Sequence, residues 1–191
     1  MMIKERIAAA LATARYEWAK GDPDQSEAVA TLSLALSELT AAEYREDLDE
    51  EGALALLRKM VKNGRETASQ FSRRAAEESK AQDGLLEVAN LMDDPDHIED
   101  ALGDARTHGA AAAAYTAKAA AERASSDLLE GYLPRVLDAE ATAGKVAEAI
   151  AATGAAGKSG IGKVMGWLSA NTESGTLDKG LASRLAREAL N

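Results

Sequence analysis

Residues 54–75 read LALLRKMVKNGRETASQFSRRA. The apolar side chains of this stretch recur at steps close to a heptad repeat: Leu54, Leu57, Val61, Ala68, Phe71 and Ala75. That spacing places them on one face of a helix. The acidic residues at 47–51 are typical of a helix start, because the helix dipole favours negative charge there. The stretch therefore predicts a long helix that ends at about Lys80.

Apolar residues at three- and four-residue steps also predict helices on both sides of this stretch. Toward the N-terminus we expect helices at about 3–20 and from Ser26, which could act as the cap. Toward the C-terminus we expect a break at 91–96 and then a long Ala-rich helix to about Tyr132. Pro134 marks a linker at 134–138. Three shorter helices are predicted to follow, at about 139–153, 159–170 and 177–190.

The composition supports an all-α fold. Aromatic residues make up 4% of the chain and there are only 3 prolines, whereas alanine is abundant. Alanine and long unbranched side chains lose little freedom in a helix, and a β-sheet would need more β-branched and aromatic residues. There are no cysteines, which excludes disulfides and thiolate metal sites and is compatible with a cytoplasmic location. No apolar run is long enough to cross a membrane.

Charge is distributed unevenly along the chain. The formal net charge of −10 argues against broad, non-specific binding to nucleic acid. Two segments are nevertheless basic. Residues 58–74 contain one acid, Glu66, and six bases: Arg58, Lys59, Lys62, Arg65, Arg73 and Arg74. Residues 155–191 contain three acids and five bases: Lys158, Lys163, Lys179, Arg184 and Arg187.

Residues 152–159, ATGAAGKS, fit a loose form of the phosphate-binding loop. Such a loop must follow a β-strand, and the residues before it have a helical pattern instead. We therefore predict a glycine-rich turn between helices with Ser159 as the N-cap, and no nucleotide site. A helix start flanked by Lys158 and Lys163 could still bind an anion such as an RNA phosphate.

No catalytic constellation is found in the sequence. Cysteine nucleophiles are absent, and no Gly-x-Ser-x-Gly elbow occurs. His97 lies among Asp93, Asp94 and Asp96, where helix capping explains the acids more simply than metal binding does. His108 is expected at the surface of an Ala-rich helix. We expect no catalytic residue, no metal and no cofactor.

Five short motifs resemble those of the GatB/YqeY family, in the same order. They are residues 3–7 (IKERI), 61–67 (VKNGRET), 129–134 (LEGYLP), 162–165 (GKVM) and 178–181 (DKGL). The resemblance covers roughly 1–80 and 125–191. It implies an N-terminal helical domain at 1–133, a hinge, and a small three-helix domain at 134–191 similar to the tail of GatB, a subunit of the tRNA-dependent amidotransferase. Residues 81–124 have no counterpart in short members and are interpreted as an inserted helical hairpin.

Three functions follow as hypotheses. The first is an RNA-linked, tRNA-directed binding protein, in which the C-terminal domain contacts RNA through Lys158, Lys163, Lys179 and Arg184. The second is a protein–protein adaptor that uses the hinge and the 81–124 insertion, without RNA contact. The third and least favoured is a stand-alone glutamine-dependent carbon–nitrogen ligase (amidotransferase), an activity associated with the family.

Two further features have alternative interpretations. Arg58, Lys62, Arg65 and Arg73 form a secondary basic strip, which is either a phosphate-binding surface or a solvated flank whose aliphatic stems cover the core. Trp18 and Trp167 are expected to be core or interface anchors, and base stacking by Trp167 is the alternative.

Overall fold

The computed structural model describes residues 2–46 and 48–191. The all-α prediction is confirmed, because these residues contain seven α-helices and no strand. The helices are α1 (Ile3–Ala19), α2 (Gln25–Glu46), α3 (Glu50–Ala89), α4 (Pro95–Glu130), α5 (Ala139–Thr153), α6 (Ile161–Asn171) and α7 (Lys179–Ala189), with a 3₁₀ turn at Lys158–Gly160 before α6.

The structure differs from the predicted helix boundaries at the end of α3 and the start of α2. Helix α3 continues nine residues beyond the predicted end at Lys80, because residues 81–89 are mostly good helix formers and Gly84 is tolerated. Ser26 is not the cap of α2, which begins one residue earlier. Asp47 of the predicted acidic helix start lies outside the described residues. Within that start, the Asp49 carboxylate accepts a hydrogen bond from the backbone N–H of Gly52 at 2.8 Å.

The chain divides into two compact units, of which one comprises Ile7–Ser37 and Leu57–Glu130. In this unit α3 and α4 run antiparallel, as three cross-helix pairs show. The rings of Phe71 and Tyr115 stack, Glu78 contacts His108, and Gly64 faces Ser126. Many of the buried side chains along α4 are alanines, so the two helices approach closely but each contact buries little apolar area.

The closest approach of α3 and α4 is at Gly64. A Cβ atom on Gly64 would lie nearer to Ser126 Oγ than the 3.0 Å below which Cβ contacts are essentially never seen. Ser126 is only 2% exposed, and its hydroxyl donates a hydrogen bond to the carbonyl oxygen of Glu122 at 2.8 Å. Glycine at position 64 therefore permits this packing distance.

The other unit comprises Met1–Arg6, Glu38–Leu56 and Gly131–Asn191. Helices α5, α6 and α7 pack on one another in this unit, as the sequence predicts. Their common core consists of Val146, Ala149, Val164, Leu168, Ala182 and Ala186. Asp138 caps α5 by accepting a hydrogen bond from Ala141 N–H at 2.8 Å, and Asp178 caps α7 by accepting one from Leu181 N–H at 2.9 Å. Both caps satisfy N–H groups that lack a partner within the helix.

Polar contacts connect the three segments of this unit. The Glu50 carboxylate accepts a hydrogen bond from Ile3 N–H at 2.9 Å, and Lys179 forms an ion pair with Glu51. In the linker, Leu137 N–H donates to the Thr176 carbonyl oxygen at 2.8 Å. This grouping differs from the division at residues 133 and 134 that the family resemblance implies, and that division stays a prediction. Among the described residues, no helix has both the length and the apolar composition needed to cross a bilayer.

Candidate nucleic-acid interface

The segment that resembles a phosphate-binding loop is a turn between two helices. It follows α5 rather than a strand, and its glycines Gly154 and Gly157 adopt positive φ angles of 60° and 63°. Without a strand before it, the turn lacks the architecture of a nucleotide-binding loop. The prediction of Ser159 as an N-cap is wrong, because Gly157 precedes the 3₁₀ turn and no side chain caps it.

Three of the predicted RNA-binding cations are exposed and carry no counter-ion. Lys158, Lys163 and Arg184 form no ion pair within residues 2–46 and 48–191. Arg184 lies two residues from each of the buried Ala182 and Ala186, so the helical period turns it away from the core. These charges are therefore available to an external anion.

The other tail residues are placed differently. Lys179 forms an ion pair with Glu51, unlike the other three cations. Trp167 is half-buried and packs against the core of α5, α6 and α7, in agreement with an anchoring role. Trp18, also expected as an anchor, is 52% exposed near the end of α1, so it is not a core residue.

The secondary basic strip on α3 is mostly engaged in contacts. Arg65 donates hydrogen bonds to Glu130 at 3.1 and 2.5 Å and to Asp127 at 3.4 Å. The hydrogen bonds to Glu130, followed by that to Asp127, raise the pKa of Arg65 above its ordinary value. Lys62 lies 3.7 Å from Glu66. Lys62 and Arg65 therefore each have carboxylate partners within the chain, and the function of the strip stays a prediction.

The other two members of the strip differ from each other. Arg58 is half-buried. Arg73 is exposed and forms no ion pair within the described part of the chain. The strip is therefore not a continuous row of available cations.

A group of aromatic and basic side chains on α3 and α4 was not predicted from the sequence. The rings of Phe71 and Tyr115 stack with centroids 6.1 Å apart and an interplanar angle of 24°. The Lys118 ammonium lies 5.5 Å from the Tyr115 centroid and 5.8 Å from that of Phe71, and the Arg74 guanidinium lies 5.8 Å from Tyr115. We call Phe71, Arg74, Tyr115 and Lys118 the aromatic–cation cluster. Only the register of α3 against α4 brings these residues together, because the two helices contribute them from separate parts of the chain.

Each histidine lies beside one carboxylate. His97 Nδ1 lies 3.5 Å from Asp94 Oδ2. The other oxygen of the same carboxylate accepts a hydrogen bond from Asp96 N–H at the start of α4. His108 Nδ1 lies 2.5 Å from Glu78 Oε2, which makes it a link between helices rather than a free surface residue. Among the described residues, no group of three metal-ligating side chains is suitably placed to hold an ion.

The fold and these surfaces define an all-helical protein whose C-terminal part is a small three-helix unit with exposed basic residues. Residues 110–190 match the family model of Yqey-like protein, so this part of the chain is similar to that family. The match confirms the resemblance over this range. It includes residues 110–124, which the motif comparison assigned to an insertion, and leaves the motifs at 3–7 and 61–67 outside. No curated protein matches the chain.

Proposed function

We propose that the C-terminal three-helix unit binds the phosphate backbone of RNA, and that the RNA is a tRNA. The observation that supports this proposal is the exposure of Lys158, Lys163 and Arg184 without a counter-ion in the described structure. Cations in this state can replace the counter-ions of a nucleic-acid backbone, which favours binding at low salt. The choice of tRNA rests on the resemblance to the GatB tail.

The start of α6 adds to this surface. Lys158 and Lys163 flank it and no side chain caps it, while the N–H of Ile161 already donates to the Lys158 carbonyl oxygen. The positive end of the helix dipole and the two flanking ammonium groups favour an anion at this position. Gly162 and Gly166 lie on the exposed side of α6, where an added Cβ would meet nothing within 4 Å. A phosphate backbone could therefore approach the helix without a steric obstacle.

Backbone contacts of this kind position an RNA but do not read its sequence. The proposed role is accordingly that of a binding protein rather than an enzyme. An association with tRNA-dependent, glutamine-dependent carbon–nitrogen ligase systems in the cytoplasm follows from the family resemblance and is part of the same proposal. In such an arrangement the chemistry of amide transfer belongs to another component.

The test is binding of fluorescein-labelled tRNA, followed by anisotropy over a range of salt concentrations. The triple variant Lys158→Gln, Lys163→Gln, Arg184→Gln is expected to bind more weakly. The slope of log affinity against log salt should fall by about 0.9 or less for each phosphate that the variant no longer neutralises. A control triple variant, Lys20→Gln, Lys80→Gln, Arg106→Gln, changes the net charge equally and should bind as the original chain does. Absence of binding at low salt, or equal weakening in both triple variants, would overturn the proposal.

A protein–protein adaptor is the second candidate function. It is favoured by exposed apolar side chains at the end of α3 and in the following turn: Leu86, Val88 and Leu91, which are 37%, 45% and 80% exposed. Exposed apolar residues grouped in this way are typical of interaction sites. A partner captured by the original chain should no longer bind the Leu86→Ser, Leu91→Ser variant and should still bind Leu34→Ser, which alters an exposed leucine on α2. An unchanged set of partners would argue against the adaptor.

A further inference from the structure

We propose that the aromatic–cation cluster on α3 and α4 is a binding site for single-stranded nucleic acid. Its four residues lie in the unit formed by Ile7–Ser37 and Leu57–Glu130, whereas the proposed tRNA surface belongs to the other unit. The inference therefore rests on different residues from those that support the proposed function. The single-strand site and the tRNA surface can therefore be refuted separately.

The cluster carries two positive charges without counter-ions. Arg74 and Lys118 both approach the Tyr115 ring, at 5.8 and 5.5 Å, and neither forms an ion pair within the described residues. Arg65, on the same helix as Arg74, is neutralised by two carboxylates of α4. Although the chain contains 32 acidic residues, none of those described compensates either cation. Both cations are therefore available to an external anion.

The aromatic pair of the cluster is suited to stacking. Phe71 and Tyr115 are half-buried rather than fully buried, and their rings are nearly parallel, at 24°. A nucleobase can stack on such a surface, because every base presents a flat π-face. The flanking cations would then contact the phosphates on either side of the stacked base. Aromatic side chains combined with unpaired cations are typical of proteins that bind single strands.

The cations and the rings together indicate the class of ligand. A simple inorganic anion would satisfy the cations but would make no use of the rings. A neutral aromatic compound would stack on the rings but leave the charges uncompensated. Single-stranded RNA or DNA supplies both groups at adjacent positions along one chain. Because stacking and phosphate contacts do not read base edges, the site is expected to have little sequence preference.

The experiment uses the full chain and a fluorescein-labelled oligouridylate or oligothymidylate of about twelve nucleotides, within the usual range of site sizes. Binding is followed by anisotropy at low and raised salt. Tyr115→Leu and Lys118→Gln are each expected to weaken binding roughly fivefold or more. Lys118→Gln should also reduce the slope of log affinity against log salt by about 0.7, because one phosphate is no longer neutralised.

The control is Lys80→Gln, which removes an exposed lysine of α3 nine residues beyond Phe71 and outside the cluster, and it should leave binding unchanged. Circular dichroism and thermal unfolding show whether Tyr115→Leu still folds, and Lys118→Gln tests the site without altering the ring pair. No oligonucleotide binding at low salt would overturn the proposal. So would equal weakening in Lys80→Gln and Lys118→Gln, or cluster variants that lower thermal stability without weakening binding. The last result would mean that the cations serve only to pack against the rings.

The tail variant separates this site from the proposed tRNA surface. The Lys158→Gln, Lys163→Gln, Arg184→Gln protein should retain oligonucleotide binding. If this variant fails to bind the oligonucleotide while the cluster variants still bind it, the single-strand site on α3 and α4 does not exist. If tRNA binding fails but the cluster variants still reduce oligonucleotide binding, the proposed function falls and this inference stands.

Discussion

Replacing Gly64 with alanine tests the packing of α3 against α4 directly. The added Cβ would overlap with Ser126 Oγ and would lie 3.6 Å from the Glu122 carbonyl oxygen, which is ordinary contact. The overlap is therefore with one buried hydroxyl group rather than with the backbone. To relieve it, Ser126 must give up its hydrogen bond to Glu122 or the helices must move apart.

Two effects of opposite sign determine the size of the change. Overpacking a well-filled interface costs about 1–3 kcal/mol. Alanine in place of glycine inside a helix stabilises by about 0.5–1 kcal/mol. The net expectation for Gly64→Ala is a decrease of up to roughly 2 kcal/mol in the free energy of unfolding. Gly84→Ala, on the same helix with nothing within 4 Å of the added Cβ, has only the favourable effect and should stabilise.

Urea denaturation followed by far-ultraviolet circular dichroism measures both variants, and a double-mutant cycle assigns the cause. In a Ser126→Ala background the obstructing hydroxyl is absent, so Gly64→Ala should become stabilising. The coupling energy between the two positions should be about 1–3 kcal/mol. If Gly64→Ala stabilises as much as Gly84→Ala does, or costs the same with and without Ser126, the packing argument is wrong.

Two other substitutions probe the C-terminal helices by the same denaturation assay. Leu168→Ala removes a fully buried side chain from the core of α5, α6 and α7 and should lower the free energy of unfolding by about 2–5 kcal/mol. The control is Ser169→Ala at the exposed neighbouring position, which should change it little. A decrease below about 1 kcal/mol for Leu168→Ala would contradict the burial of that side chain. Asp138→Ala removes the cap on Ala141 N–H and should lower the free energy of unfolding by about 1 kcal/mol. The control is Glu140→Gln, in the same first turn but outside the capping position. Equal effects of the two substitutions would show that the cap is not the source of the destabilisation.

The sequence predicted the helices well because their signals are local. Apolar periodicity indicated α1, α3 and α7, and Pro134 marked the linker before α5. Helix ends were predicted less accurately than helix positions. Helix α3 continues to Ala89, because the residues after Lys80 can adopt either a helix or a loop. Ser26 and Ser159 were both assigned as caps because serine favours that position, yet each helix begins at a neighbouring residue.

The candidate sites could be predicted only in part. Local charge counts identified Lys158, Lys163 and Arg184 as basic residues of the tail. They did not indicate that Lys179 would pair with Glu51, a residue 128 positions away. The same limit applies to the strip on α3, where Arg65 pairs with Glu130, 65 residues further along the chain. Charge compensation between distant segments depends on packing, which sequence spacing does not encode.

The sequence by itself determined that this protein is helical, where its main breaks fall, and that its C-terminal part resembles a known family. Helical period, proline and glycine act over a few residues, so these features need no knowledge of the fold. Only the tertiary structure decided which cations remain available and which aromatic rings meet. Phe71 and Tyr115 come together because α3 and α4 pack at one particular register, and that register is set by close contacts such as Gly64 against Ser126. A change in that register would separate the rings while leaving every helix prediction intact.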